Sequence, residues 1–214
     1  MYLPAQFKVA DATESVRLAR EVIFEHPFAT LVSLRDGEPF ATHCPLTAQP
    51  APAGLPGTPD FVLEGHLARG NPHWKDWQGE GARVLAIFHG PQAYVSPTLY
   101  AERQNVPTWN YVAVHVIGRV STLADRDDRH DLLKRLIARI EPSYTAQWDE
   151  LDEHYKQKML DAIVGFRIVP ERIEAKFKVS QNRAPVDRDG VRAAFSQGSP
   201  DERSLAAWMR RLGA

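Results

Sequence analysis

A single cysteine, Cys44, stands in the 214 residues of the chain. No intramolecular disulfide is therefore possible, which excludes a stapled secreted scaffold and fits a reducing cytoplasm. Long apolar runs are also missing. None approaches the roughly 18–20 residues that span a bilayer, so no membrane association is expected. Met1-Tyr2-Leu3-Pro4 leads into Gln6-Phe7-Lys8 without a charged segment followed by an apolar one, so no signal peptide is expected. Charge of one sign is lacking: 26 Lys and Arg stand against 27 Asp and Glu, for a formal net charge of −1. The broad basic footprint of a nucleic-acid binder is thus absent, which leaves only a local patch for such a role. Neither G-x-G-x-x-G nor a P-loop occurs, so a Rossmann or ATP-type reading has no motif behind it. The eight histidines show no H-E-x-x-H and no Cys/His set, and no metal site is expected. His43 beside Cys44 would make only half a metal site, and Cys44 is expected to be buried and inert.

What remains is an ordinary globular composition, 43% apolar and 25% charged, long enough to bury a core unaided. Residues 13–25 read as a helix, with Val16, Ala19, Val22 and Ile23 on one face, Thr13 as cap and His26-Pro27 as stop. Phe28–Leu34 and Pro39–Leu46 read as strands joined by a tight Asp36-Gly37 turn. Residues 48–59, rich in proline and glycine, read as an exposed loop that holds no ladder. Asp60–His66 is a third strand. Arg83–His89 and Gln92–Ser96 are two more, joined at Gly90-Pro91, and Val112–Leu123 is the longest. Helices are predicted over Asp125–Glu141 and residues 148–162. Ile163–Val169 then returns to strand. Ser199-Pro200-Asp201-Glu202 starts a final helix with Leu205, Trp208, Met209 and Leu212 as its apolar stripe. Six short strands at close spacing argue for a barrel or closed sheet rather than a parallel α/β fold.

Three clusters carry chemistry. Glu64–Trp74 joins a strand end, a glycine turn and a helix start at Asn71-Pro72. Free amides there, with Arg69 and Lys75 nearby, suit a phosphate or carboxylate, and the same residues also make an ordinary capped turn. Tyr94–Pro97 and Asn105–Tyr111 carry aromatics and amides. Trp109 and Tyr111 could stack on a planar ring and Asn110 could bond its edge, or the aromatics could plug a barrel end. Lys178–Arg183 offers Gln181 and Asn182, which both donate and accept, and Arg183 for a phosphate; alternatively it is a solvated strand exit.

Gly65-His66…Asn71-Pro72…Trp74, Gly90-Pro91…Ala93-Tyr94…Ser96, Val106-Pro107-Thr108-Trp109-Asn110-Tyr111 and Lys178…Ser180-Gln181-Asn182-Arg183 together resemble the PaiB family in order and spacing. Met1-Tyr2…Pro4…Phe7 and Ala41-Thr42-His43…Pro45-Leu46 extend the likeness, which runs from residue 1 to about 183. The resemblance implies a mainly β, α+β fold: a split β-barrel of the flavin-reductase type with flanking helices, forming a homodimer that holds FMN at its interface. On this reading residues 1–183 are the FMN-binding domain, with a helical insertion at about 125–162, and 184–214 are a C-terminal helical extension. Thr42, His43, His66, Arg69 and Asn71 would line the phosphate and ring. Trp109, Asn110, Tyr111, Gln181, Asn182 and Arg183 would close the site, from the partner subunit if FMN lies at the interface. Two positions depart from the family pattern: Arg69, where arginine is often absent, and Cys44, where an aliphatic residue is usual.

The resemblance also implies a function, that of an FMN-binding negative transcriptional regulator or flavin-linked sensor. A flavin-dependent oxidoreductase using the same pocket is the alternative, and a haem-handling protein with His43, His66 or His115 as axial ligand a third. Whether the chain is an enzyme stays open. The acidic pI of about 6.7 gives no support to direct DNA contact, so a regulator of this kind would act through a partner protein.

Overall fold

The computed structural model describes residues 1–52, 60–79 and 81–214. Helix α1 (Ala12–Glu25) is capped by Asp11, whose carboxylate accepts from the Glu14 amide at 2.6 Å. The cap thus lies two residues before Thr13, the residue expected there. Strands β1 (Phe28–Arg35) and β2 (Glu38–Pro45) form a hairpin. Asp36 and Gly37 have φ of 53° and 84°, the two left-handed residues that match a tight turn to the twist of its strands. β3 (Thr47–Pro50) and β4 (Phe61–Ala68) follow, then β5 (Arg83–Val95) and β6 (Thr108–Leu123). Three helices come next: α2 (Arg126–Ile140), α3 (Thr145–Glu150) and α4 (Glu153–Asp161). The long strand β7 (Ile163–Lys178) and helices α5 (Pro185–Ser196) and α6 (Pro200–Arg211) complete the chain. The strands form one seven-stranded sheet in the order β2-β1-β5-β6-β7-β4-β3. This antiparallel sheet with helices is the α+β class expected.

Several boundaries differ from the sequence reading, mostly at prolines. Residues 48–50 are not loop but part of β3, which pairs with β4 through Pro50 opposite Phe61. Pro50 is tolerated because β3 is the last strand in the order, so one edge needs no donor. Ala51 and Pro52 lie in neither helix nor strand, and the remainder of the expected loop, 53–59, lies outside the described residues. Gly90-Pro91 is not a connection between two strands but the middle of β5. A Cβ on Gly90 would sit 3.0 Å from Val112 Cβ, so the glycine allows close approach rather than a turn. β7 likewise continues through Pro170 to Lys178. The helix expected over 148–162 is two helices, broken where Asp152 caps α4 by accepting from the Tyr155 amide at 3.0 Å.

The chain divides into two compact units. The first comprises Met1–His26, Phe88–His115 and Glu174–Ala214. Its core includes Leu18, Ile23, Phe177, Phe195, Leu205 and Met209, all essentially inaccessible. The start of α6 is as expected: a complete capping box with Ser199 and Glu202, and Pro200 in the first turn. Leu205, Trp208 and Met209 of its stripe are buried within this unit, with Trp208 against Phe177 at 4.9 Å between ring centroids. The second unit comprises Pro27–Ile87 and Val116–Ile173. Leu31, Leu46, Phe61, Leu63, Phe166 and Ile168 form its core. Within it Glu64, 3% exposed, takes Arg135 on one carboxylate oxygen and Arg167 on the other, each at 2.7 Å, and so ties β4 to α2 and β7.

Candidate functional site

In the second unit the β1–β2 register sets Thr42 opposite Leu31 and His43 opposite Thr30. Successive strand residues face opposite ways, so Thr42 and His43 serve different faces of one hairpin. Asn71 caps the short 3-10 turn Pro72–Trp77, as its position before a proline predicts, by accepting from the His73 amide at 2.9 Å. Its side-chain amide donates to Thr42 Oγ1 at 3.2 Å. Thr42 and Asn71 are therefore brought together. Between them and Ser33 lies His73, which is fully buried. Its Nδ1 is 3.0 Å from Thr42 Oγ1 and its Nε2 is 2.8 Å from Ser33 Oγ. Because Asn71 already donates to Thr42, the chain of bonds is consistent when Thr42 donates to Nδ1 and Nε2–H donates to Ser33. Burial holds the His73 pKa below the usual imidazole value.

On the other face His43 is exposed, with Nδ1 3.0 Å from Thr30 Oγ1 and its ring nearly parallel to the exposed Phe28. His66 is half-buried on β4. Its Nδ1 has no hydrogen-bond partner among the described residues, and burial lowers its pKa. Arg69 is committed elsewhere: Nε donates to the Asp161 carbonyl at 2.6 Å and Nη2 to that of Ile163 at 2.8 Å. Its guanidinium pins the end of β4 to the start of β7.

In the first unit Asn110 and Ser180 form a buried pair, 1% and 3% exposed. Asn110 Nδ2 donates to Ser180 Oγ at 2.9 Å, and that hydroxyl donates back to Oδ1 at 3.2 Å. Ser180 has φ of 66°, a left-handed conformation that costs a non-glycine residue about 1 kcal/mol. The reciprocal bonds hold it there. Gln181 turns back on its own strand, accepting from the Val179 amide at 2.8 Å and donating to the Phe177 carbonyl. Asn182 is exposed. Arg183 lies over the Tyr100 ring, 4.3 Å from its centroid, and donates to Asn105 Oδ1 at 2.7 Å. Trp109 is 53% exposed and meets the edge of Tyr94. Tyr111 lies under the Lys176 ammonium, 5.2 Å from its ring centroid.

Two lysines outside the expected contact residues, Lys176 and Lys178, complete this group. Lys178 donates to Thr108 Oγ1 and to the Trp109 carbonyl. Burial, and then the positive charges of Lys176 and Arg183, push its pKa down. The positive charges of Lys176 and Arg183 thus bear on Lys178, which favours an anion placed beside it. The alternation Lys176, Lys178 against Phe177, Val179 was the available signal. Thr30, Ser33 and His73 were also missed, because only the register of β1 with β2 and the folding-back of the 3-10 turn bring them into play.

The cations, the reciprocal amide–hydroxyl pair and the exposed Trp109 of the first unit form a donor set that fits FMN, a phosphate-bearing planar heterocycle. That chemistry is of the flavin-binding class. The family described as "Putative FMN-binding domain" matches residues 1–172. The chain is 35% identical over 213 residues to Protease synthase and sporulation protein PAI 2 of Bacillus subtilis (strain 168), covering 98% of this chain and 96% of that one. Among solved structures, the flavocytochrome Anf3 from Azotobacter vinelandii superposes with a TM-score of 0.56 at 13% identity, over 75% of this chain and 66% of that one. The FAD and heme binding protein from Mycobacterium smegmatis does so with a TM-score of 0.56 at 20% identity, over 76% and 70%. The chain belongs to the PaiB family of FMN-binding domains, and FMN is its cofactor.

Proposed function

We propose that the protein is a cytoplasmic, FMN-dependent negative regulator or sensor, built as a split-barrel homodimer in which FMN lies where two copies meet. The observation that carries this reading is the 35% identity, along nearly the whole chain, to a protein named for protease synthesis and sporulation. FMN supplies a redox-active ring whose state a sensor can report; the protein holds and orients it. Thr42, His43, His66, Asn71, Trp109, Asn110, Tyr111, Asn182 and Arg183 are the proposed contacts. Lys178 and Arg183 suit the phosphate better than Arg69, whose Nε and Nη2 already serve carbonyls. The cleft beside Tyr111 measures about 250 Å³, below the roughly 300–1,000 Å³ of small-molecule sites. A second copy is the natural source of the missing cover. Partner contact rather than direct DNA contact suits the net charge of −1.

The test is the visible spectrum of the purified protein, followed by assay with NADH and NADPH. Flavin bands without stimulated turnover are expected. Steady oxidation of either nucleotide by the FMN-loaded protein would move the assignment to an oxidoreductase, and failure to take up added FMN would sink both.

A further inference from the structure

Within the second unit an apolar cleft of about 460 Å³ opens between the root of the β1–β2 hairpin and the C-terminal end of α2. Pro27, Phe28 and Pro45 form one wall, and Leu136, Ile137 and Ile140 the other. Phe28 and Ile140 stand 66% and 55% exposed, more apolar surface than scattered residues need to leave in water. The size and lining are those of a small-molecule site: predominantly apolar walls with a few polar groups to set orientation.

Those polar groups include one charge, and it is negative. The rim holds the Glu141 carboxylate and the Tyr144 hydroxyl. Glu141 is exposed and has no ion-pair partner among the described residues, while the neighbouring basic groups are placed elsewhere. Arg135 is taken by Glu64 and Lys134 by Asp149, and Arg139 does not line the cleft. The 15-residue α2 also ends here, at Ile140, with Arg139 in its last turn, and the carbonyl end of a helix dipole favours further positive charge near the cleft mouth. An apolar trough with a carboxylate and a negative helix end at its mouth complements a molecule with a hydrophobic body and a positive head.

We infer that this cleft is a second ligand site, adjoining the proposed FMN contact His43 through Phe28, for small organic cations with an aromatic or aliphatic body. The inference does not rest on the FMN reading. Three isosteric probes test it on the full chain by titration calorimetry: 4-phenylbutylamine, 4-phenyl-1-butanol and 4-phenylbutyrate. The amine is expected to bind about fivefold tighter than the alcohol, the sum of an exposed ion pair and a helix-terminus term, and the acid weakest. Raising the salt to 1 M narrows the gap between amine and alcohol. Glu141→Gln, a surface change, removes that gap and leaves alcohol binding unchanged. Ile137→Trp fills the trough and weakens all three at least tenfold. FMN uptake, read from the flavin bands of the same samples, is expected unchanged in both variants, so failure here is distinct from failure of the FMN assignment. Equal binding of the three probes, binding of none at millimolar concentration, or indifference to Ile137→Trp overturns the inference. So does a loss of molar mass by light scattering in Ile137→Trp, which would make the cleft a contact between copies.

Discussion

His73 shows how a single side chain carries both the local fold and a pH dependence. Its imidazole is fully buried, bonds Ser33 and Thr42, and meets the rings of Phe40 and Trp77 at centroid distances of 4.9 and 5.0 Å. Burial depresses its folded-state pKa below the unfolded 6.5. The unfolded chain therefore binds the proton more readily, and stability rises with pH in that window. The contribution is complete above about 6.5 and is lost as pH falls from there toward the folded-state value. Thermal melts at constant ionic strength should show the melting temperature dropping from pH 7.5 to 5. In His73→Gln the protein should be less stable at pH 7.5, by about 1–3 kcal/mol for the disrupted buried bonds, but its slope should be shallower. His66 and His115 shift in the same direction, so the slope shrinks without vanishing. An unchanged slope would mean that water reaches the His73 ring. In the sequence His73 is only one letter of a capped turn. Its burial arises because the turn folds back on a hairpin some thirty residues earlier, which no local pattern encodes.

The elements were legible where hydrophobic periodicity acts alone, and less so where one residue type has two uses. Helix α1, the Asp36-Gly37 hairpin and the capped start of α6 follow from local chemistry. Prolines at 50, 91 and 170 read as breaks, yet all three lie inside strands, because a proline with extended φ costs only the donor it lacks. Helix α5 was not delimited, although Pro185 stands in its first turn and Val191 and Phe195 bury its inner face. Nor did the sequence show that Glu64, beside the glycine cluster, would join Arg135 of α2 and Arg167 of β7. Removing the shared carboxylate charge leaves two guanidinium groups facing each other across the buried strand. A fully buried pair broken this way costs about 3–5 kcal/mol. Since Arg135 and Arg167 are 38% and 29% exposed, water offsets part of it, and Glu64→Gln should lower the unfolding free energy in urea by about 2 kcal/mol. A loss below about 0.5 kcal/mol would place the cluster among ordinary surface networks.

At the scale of the whole molecule, the family pattern was readable from short runs, some at turns, such as Asn71-Pro72 and Ser180–Arg183, and some inside strands, such as Thr42-His43 and Gly90-Pro91. What the pattern could not divide was scaffold from ligand contact. Arg69 and Gln181 carry the donor chemistry of a binding residue, but both spend it on main-chain groups. Lys178, outside the expected set, is instead the ammonium crowded by two other cations. The exposed indole of Trp109 separates cofactor binding from assembly. It is half in solvent and touches Tyr94 only edge-on, so truncating it leaves the core intact. If it stacks on the flavin ring, Trp109→Ala should weaken FMN binding about tenfold, the worth of one aromatic face against a planar heterocycle, followed by flavin fluorescence on titration. If it instead serves the contact between copies, light scattering of the FMN-loaded variant should fall from twice the 24.1 kDa chain mass toward one. The expected outcome is the first with the mass retained: the ring loses its platform, while one exposed side chain is only a small share of the contact area that the proposed dimer needs.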